Sequence, residues 1–95
     1  MREKEIEQQL IRAVRCLGGW CLKWTSPSLT GIPDRMVLLP GGKLAFVEVK
    51  APGHKPRKLQ QKRINQLQSL DFKCFVLDST EDISRILEEV IRDGV

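Results

Sequence analysis

Residues 35–50 read RMVLLPGGKLAFVEVK, two apolar segments on either side of a Pro-Gly-Gly turn. This pattern is typical of a β-hairpin, because turn residues between two apolar runs bring those runs together as antiparallel strands. A turn centred on Gly41 would place Asp34 directly opposite Glu48. The second segment, residues 43–50, is apolar on both faces and therefore predicts a central strand rather than an edge strand.

The predicted pairing of Asp34 with Glu48 needs a physical explanation. Two carboxylates opposed across a ladder repel and destabilise a sheet, so a positive charge is expected between them. Glu48 and Lys50 also share a face, because side chains two residues apart on a strand point the same way. Alternatively, Asp34 is a turn residue after Pro33, and Glu48 and Lys50 are solvated strand-end charges. Charges at the end of a central strand favour a functional site.

The rest of the chain predicts three helices and two further strands, in the overall order α-β-β-β-α-β-α. Apolar residues recur at steps of three and four over residues 3–17 and 57–70, which predicts two amphipathic helices. Residues 20–25 and 73–77 predict strands. A helix start signal at residues 79–82 opens the last helix.

The strand at residues 20–25 alternates, and Trp20, Leu22 and Trp24 share one of its faces. Tryptophans could stack on nucleic-acid bases, but at a period of two they are more often core residues. We therefore expect this face in the core. The three cysteines, Cys16, Cys21 and Cys74, are also expected to be small buried hydrophobes.

The chain has 95 residues, 41% of them apolar and 29% charged, which predicts one globular domain over residues 1–95. No apolar run approaches the ~20 residues that span a bilayer, and no secretory signal begins the chain. A cytoplasmic location is therefore expected. The chain has three cysteines and one histidine, His54, and their spacing is not that of metal ligands. A structural zinc site is therefore not expected.

The basic residues are unevenly distributed. The net charge is +4, with an acidic segment over residues 78–95 and a strongly basic body before it. Residues 51–70 contain no acid, and five bases lie close together in this stretch: Lys55, Arg57, Lys58, Lys62 and Arg63. Such a run is commonly a solvated helix face. Because no acid lies three or four residues away to pair with these bases, phosphate binding becomes as reasonable an interpretation as a solvated helix face.

The acids of the first helix leave two interpretations open. At 100° per residue Glu3 falls in the middle of the apolar stripe, and Glu7 lies at its edge. A carboxylate aimed at a core is costly unless it has a partner. The alternative is that Glu3 lies in a frayed first turn, where acids suit the helix dipole.

The sequence resembles the VRR-NUC family of the PD-(D/E)XK nuclease superfamily in four features that occur in the same order. They are Glu3 on the opening helix, GIPDR at residues 31–35, FVEVK at residues 46–50, and Gln60. Stand-alone members of that family occur in phages and bacteria. The resemblance covers nearly the whole chain. It implies an α/β, restriction-endonuclease-like core with a mixed central sheet flanked by helices, and a DNA endonuclease that depends on Mg²⁺ or Mn²⁺.

The resemblance also implies roles for the site residues. Asp34 and Glu48 would ligate the metal, with the backbone carbonyl of Val49 as a third ligand, and Lys50 would orient or deprotonate the attacking water. This chemistry suits a hard divalent ion, which takes oxygen ligands and activates water near neutral pH.

Two further roles follow from the resemblance. Glu3 would be an outer or second-metal ligand, with Glu7 as the fallback if the register slips by one turn. Gln60 would support the site from the second helix.

The implied substrate is DNA in branched, flapped or four-way form. Cutting both strands of a symmetric junction needs two active sites, so we expect a homodimer, with an interface on the opening helix or the last helix. Neither a small-molecule cofactor nor a membrane is expected. A rival interpretation is a non-catalytic DNA-binding module, or an interaction subunit, that kept the fold. A degenerate domain would be expected to lack at least one of Glu3, Asp34, Glu48 and Lys50, and all four are present.

Overall fold

The structure is a computed structural model and describes residues 1–92, so the last three residues of the predicted domain lie outside it. Its elements follow the predicted order. They are α1 (Glu3–Cys16), β1 (Trp20–Lys23), β2 (Arg35–Leu39), β3 (Lys43–Val49), α2 (Lys58–Ser69), β4 (Lys73–Leu77), a 3₁₀ turn (Thr80–Asp82) and α3 (Ile83–Ile91). Within the described residues, each helix is too short or too polar to cross a membrane.

The four strands form one mixed sheet in the order β1-β2-β3-β4. β1, β2 and β3 are antiparallel neighbours, and β4 runs parallel to β3. Between β2 and β3, Arg35 faces Val47 and Leu39 faces Lys43, which is the register that the sequence predicts. β3 lies inside the sheet, and the mixed α/β fold is confirmed.

Two helices cover one face of the sheet. The stripe of α1 that packs there consists of Ile6, Leu10 and Val14, all completely buried. They meet apolar residues of α3 and of the sheet, including Ile86, Val37, Ala45, Val47, Val49 and Leu77. This layer is the main hydrophobic core.

The other face carries only α2 and a smaller core. Ile64 of α2 packs with Phe46 and Cys74 beneath it. Trp24 stacks on Phe46 with ring centroids 4.4 Å apart. α2 thus packs over the middle of the sheet and β4, and the far end of β1 has no helix above it.

The expectation that Trp20 and Leu22 are core residues is wrong. Trp20 is 67% exposed and Leu22 42% exposed, whereas Cys21 on the opposite face packs against the main core. The predicted alternation is present, and Trp24 on the same face is packed. Trp20 and Leu22 are exposed because α2 does not extend over their end of an edge strand. Cys74 is buried as expected, and Cys16 is exposed.

The loop that precedes β2 is fixed against α2. Gly31 has φ +80°, and a Cβ at this position would lie 2.7 Å from Cγ of Leu59. Nε of Arg63 donates a hydrogen bond to the carbonyl of Thr30 at 2.8 Å, and Pro33 is buried. These contacts fix the position of the loop and therefore of Asp34, which follows it.

We expect Gly31→Ala to destabilise the fold more than Gly42→Ala. Both glycines have a positive φ, but nothing lies within 4 Å of a Cβ at Gly42. The two variants share backbone strain, and only Gly31→Ala adds overpacking, which costs about 1–3 kcal/mol. Urea unfolding of both variants measures the difference, and equal losses of stability would show that the loop tolerates the clash.

Candidate active site

Asp34 and Glu48 lie opposite each other at one end of the β2–β3 ladder, as predicted. The backbone carbonyl of Asp34 accepts from the N–H of Trp24 at 2.9 Å, which joins it to β1. Its Oδ2 accepts from the N–H of Val49 at 3.2 Å, which joins it to β3. The Asp34 carboxylate is thereby held beside the end of the strand that carries Glu48.

Glu48 is the central residue of the site, because its side chain is buried, with 1% exposed. Its Oε2 accepts from Nε2 of Gln60 at 3.0 Å and forms an ion pair with Nζ of Lys50 at 3.2 Å. Its Oε1 is buried and has no hydrogen-bond partner among the described residues. Desolvation raises the pKa of Glu48, the nearby charge of Asp34 raises it further, and Lys50 opposes both effects.

Gln60 connects the site to the start of α2. The backbone N–H of Arg57 donates to Oε1 of Gln60 at 2.8 Å, so the amide oxygen faces Arg57 and the amide nitrogen faces Glu48. A backbone N–H can only donate, and this fixes the orientation of the amide. Gln60 therefore stabilises the first turn of the helix and orients the buried carboxylate with the same group.

The donor set fits a hard divalent cation. The unpartnered Oε1 of Glu48 is a buried anionic oxygen beside a second carboxylate, an arrangement that is costly without a cation. No group of three or more His, Cys, Asp or Glu side chains suited to a metal occurs among residues 1–92. Two carboxylates are sufficient for Mg²⁺, which keeps several waters.

Comparison with known proteins agrees with this geometry. The model of the VRR-NUC domain family matches residues 1–81. The chain belongs to the VRR-NUC family. The protein named "Putative nuclease p44", from Acyrthosiphon pisum secondary endosymbiont phage 1, is 47% identical over 90 residues, covering 95% of this chain and 96% of that protein. A solved structure described as a VRR_NUC domain superposes with a TM-score of 0.85 at 26% identity, covering 93% of this chain and 97% of that one.

Membership of the VRR-NUC family and the name of this relative together support a nuclease, a hydrolase of phosphodiester bonds. The resemblance drawn from the motifs is confirmed, and so is the fold that it implies.

The structure distinguishes the two acids of the opening helix. Glu3 is exposed and lies outside the buried stripe, which begins at Ile6. Glu7 is half-buried, and its Oε2 accepts from Nε of Arg35 at 3.0 Å. Glu3 lies in the first turn of α1, as the alternative interpretation has it. Glu7 is the acid that α1 brings next to the Asp34 segment.

Arg35 is a site-proximal residue to which the sequence pattern assigns no role. It lies on the same face of β2 as Val37 and Leu39, which are buried under α1. Its guanidinium binds Glu7 and also donates to the carbonyl of Cys21 at 3.4 Å. A basic residue at a strand position that faces the core indicates an acidic partner on the helix that covers the strand. Arg35 could therefore have favoured Glu7 over Glu3 from the sequence alone.

The basic run separates into two groups. Lys55, Arg57, Lys58 and Lys62 are exposed, and none forms an ion pair with an acid within residues 1–92. Arg63 is half-buried and bound to Thr30 and to Oε1 of Gln66. Four of the five predicted DNA-binding side chains therefore remain available to an anionic partner, while Arg63 also holds the loop.

We expect Asp34→Asn to stabilise the metal-free protein by about 1 kcal/mol at pH 8, because it removes a charge that opposes ionised Glu48 while its side-chain oxygen still accepts from Val49. A raised pKa means that ionisation of Glu48 costs stability as the pH rises. The gain should therefore shrink as the pH falls through the raised pKa of Glu48, and it should be small at about pH 4, where even an ordinary glutamate is largely protonated. Urea unfolding in EDTA at both pH values measures it, and a variant less stable than the parent at pH 8 would contradict the proposed repulsion.

Proposed function

We propose that this VRR-NUC chain is a DNA endonuclease that requires Mg²⁺ or Mn²⁺ and prefers branched DNA. The observation that supports this most is the buried Glu48 carboxylate, with one oxygen unpartnered, beside Asp34 and Lys50. A sheet evolved for stability alone would not retain such a group, because an incompletely satisfied buried carboxylate is expensive.

In the proposed site, Asp34 and Glu48 hold the cation, with the carbonyl of Val49 as a further oxygen ligand. A bound divalent ion would neutralise phosphoryl oxygens and lower the pKa of a water molecule. Gln60 keeps one Glu48 oxygen fixed, so that the other is presented. Lys50 lies at the rim of the site, where its ammonium group would orient the attacking water or, as the neutral amine, it would accept the proton of that water.

Among the acids of α1, we propose Glu7 rather than Glu3 as the one that supports the site. Its ion pair with Arg35 fixes the residue next to Asp34. Exposed Glu3 lacks such a contact among residues 1–92. Glu7 would thus act by positioning, and the proposal leaves Glu3 without a role in the fold of the site.

The experiment that tests this function is a cleavage panel of single-stranded, duplex, flap and four-way DNA with Mg²⁺, Mn²⁺ or EDTA. We expect cleavage only with metal, and faster cleavage of branched substrates. Glu48→Gln should abolish cleavage and also the rise in melting temperature that Mg²⁺ causes in the parent, because ligand binding to the native state stabilises it.

Lys50→Met is the matched comparison for Glu48→Gln. It should lose cleavage but keep the Mg²⁺-dependent rise in melting temperature, because Lys50 acts in the chemical step. Cleavage by either variant at the rate of the parent would refute the roles given to these residues. A parent protein that cuts no DNA with either metal would favour the non-catalytic DNA-binding module.

We propose that the exposed bases of the 55–62 segment hold the DNA backbone beside the site. They flank Gln60, which touches Glu48, so their charges surround the place where the reacting phosphate would lie. Phosphate contacts position DNA without reading its sequence.

Replacement of Lys58 and Lys62 by Ala should weaken DNA binding equally across sequences. It should also make the slope of log affinity against log salt shallower by about 0.9 for each phosphate that the variant no longer neutralises. Replacement of Lys4 and Arg12, exposed bases on α1 at the opposite face of the sheet, is the control. Fluorescence anisotropy at several salt concentrations measures both, and identical slopes for the two double variants would show that the α2 bases are only solvated.

We further propose a homodimer, because cutting two strands of a symmetric junction needs two sites. The exposed Trp20 and Leu22 on edge strand β1 offer an apolar surface for a second copy. Sedimentation velocity should show a dimer for the parent and a monomer for Trp20→Lys. A monomeric parent at micromolar concentration would exclude the dimer.

A further inference from the structure

A groove of about 430 Å³ lies between the loop that precedes β2 and the C-terminal half of α2, apart from the carboxylates. We call it the loop–helix groove. Its walls are mainly apolar, with Trp24, Leu29 and Ile32 on one side and Leu67 and Leu70 on the other. Leu29 and Leu70 are 43% and 67% exposed. Its volume is within the usual range for small organic ligands, about 300–1,000 Å³.

The groove and the proposed catalytic site are formed by neighbouring stretches of the chain. Ile32 in its wall comes two residues before Asp34 in the chain. Arg63, also in the wall, follows Gln60 by three residues, which is about 4.5 Å along a helix axis. A DNA strand whose phosphate lies at Asp34 and Glu48 would therefore bring an adjacent nucleotide to the groove.

The surroundings of the groove suit a neutral aromatic group on an anionic chain. No acid lines it, and the exposed Lys58 and Lys62 lie on the same helix. Arg63 donates to Oε1 of Gln66, which leaves the Gln66 amide nitrogen as a hydrogen-bond donor at the groove. The Trp24 ring is supported from below by Phe46 at 4.4 Å, so this wall is rigid.

We propose that the loop–helix groove is a subsite for one unpaired nucleobase of the strand that is cut. The proposal rests on the proposed nuclease function and supplies its selectivity. An unpaired base at a flap or junction enters the groove directly, whereas a base in a duplex must first unstack and lose its pair, which costs free energy. Contacts between a base and apolar or aromatic side chains depend little on sequence, because every base has a π-face. The subsite would thus select DNA structure and not sequence.

The test places the fluorescent base 2-aminopurine at successive positions of a flap strand. Binding is followed with Asp34→Asn protein in EDTA, so that no cleavage is needed. We expect a change in fluorescence at one unpaired position next to the branch point. The double variant Leu29→Ala, Leu70→Ala should remove that change and weaken flap affinity at least about fivefold, while duplex affinity is unchanged.

The control is Leu17→Ala with Ile91→Ala, which shortens two apolar side chains of comparable exposure, 44% and 47%, at the ends of α1 and α3. It should bind flap DNA like the parent. Leu29→Ala alone provides a second variant, since Leu29 lies in an exposed loop and its truncation leaves α2 unchanged. A groove variant that binds flap DNA as tightly as the control, or that loses flap and duplex affinity equally, overturns the subsite.

The outcomes for the subsite and for catalysis are separable. A parent that cuts no DNA defeats the proposed function, yet the fluorescence experiment still shows whether the groove takes a base. If the parent cuts branched DNA and the groove variants retain the fluorescence change, the nuclease function is supported and the subsite is refuted.

Discussion

The buried carboxylate of Glu48 is the constraint on which the rest of this structure depends. A desolvated anion in the middle of a sheet destabilises the fold unless its oxygens are bound. Oε2 of Glu48 is bound twice, by Gln60 from α2 and by Lys50 just after β3, and Oε1 has no hydrogen-bond partner among the described residues. The hairpin register, the loop before β2 and the start of α2 are all arranged around this one group.

The hairpin register could be predicted from sequence because a Pro-Gly-Gly turn and two apolar runs define it locally. Gln60 could be placed because the motif resemblance assigns it to the second helix as a support of the site, and the structure shows it bonded to Glu48. Trp20 and Leu22 could not be placed correctly, because alternation defines a face but does not tell how far a distant helix extends over it. The environment of Glu3 could not be decided from sequence, because helical phase alone does not tell whether a residue in the first turn of a helix is buried.

The two faces of the sheet differ in how much of their surface is covered by helices. α1 and α3 bury a continuous apolar layer on one side, which supplies most of the core. The other side has α2 and a smaller cluster, and among the described residues the exposed lysines and the loop–helix groove lie on this side. In a domain of this size, little surface can remain uncovered without loss of stability.

The two hydrogen bonds of Gln60 have a consequence for how this protein loses its site. The same amide receives the Arg57 N–H at the beginning of α2 and donates to Glu48. Helix ends are the parts of a native protein that open most readily, at a free energy well below that of global unfolding. Fraying of the first turn of α2 therefore also removes the Gln60 hydrogen bond from Glu48, while the Lys50 ion pair does not depend on that turn. The order of one helix turn and the orientation of the buried carboxylate are thus coupled through one amide group.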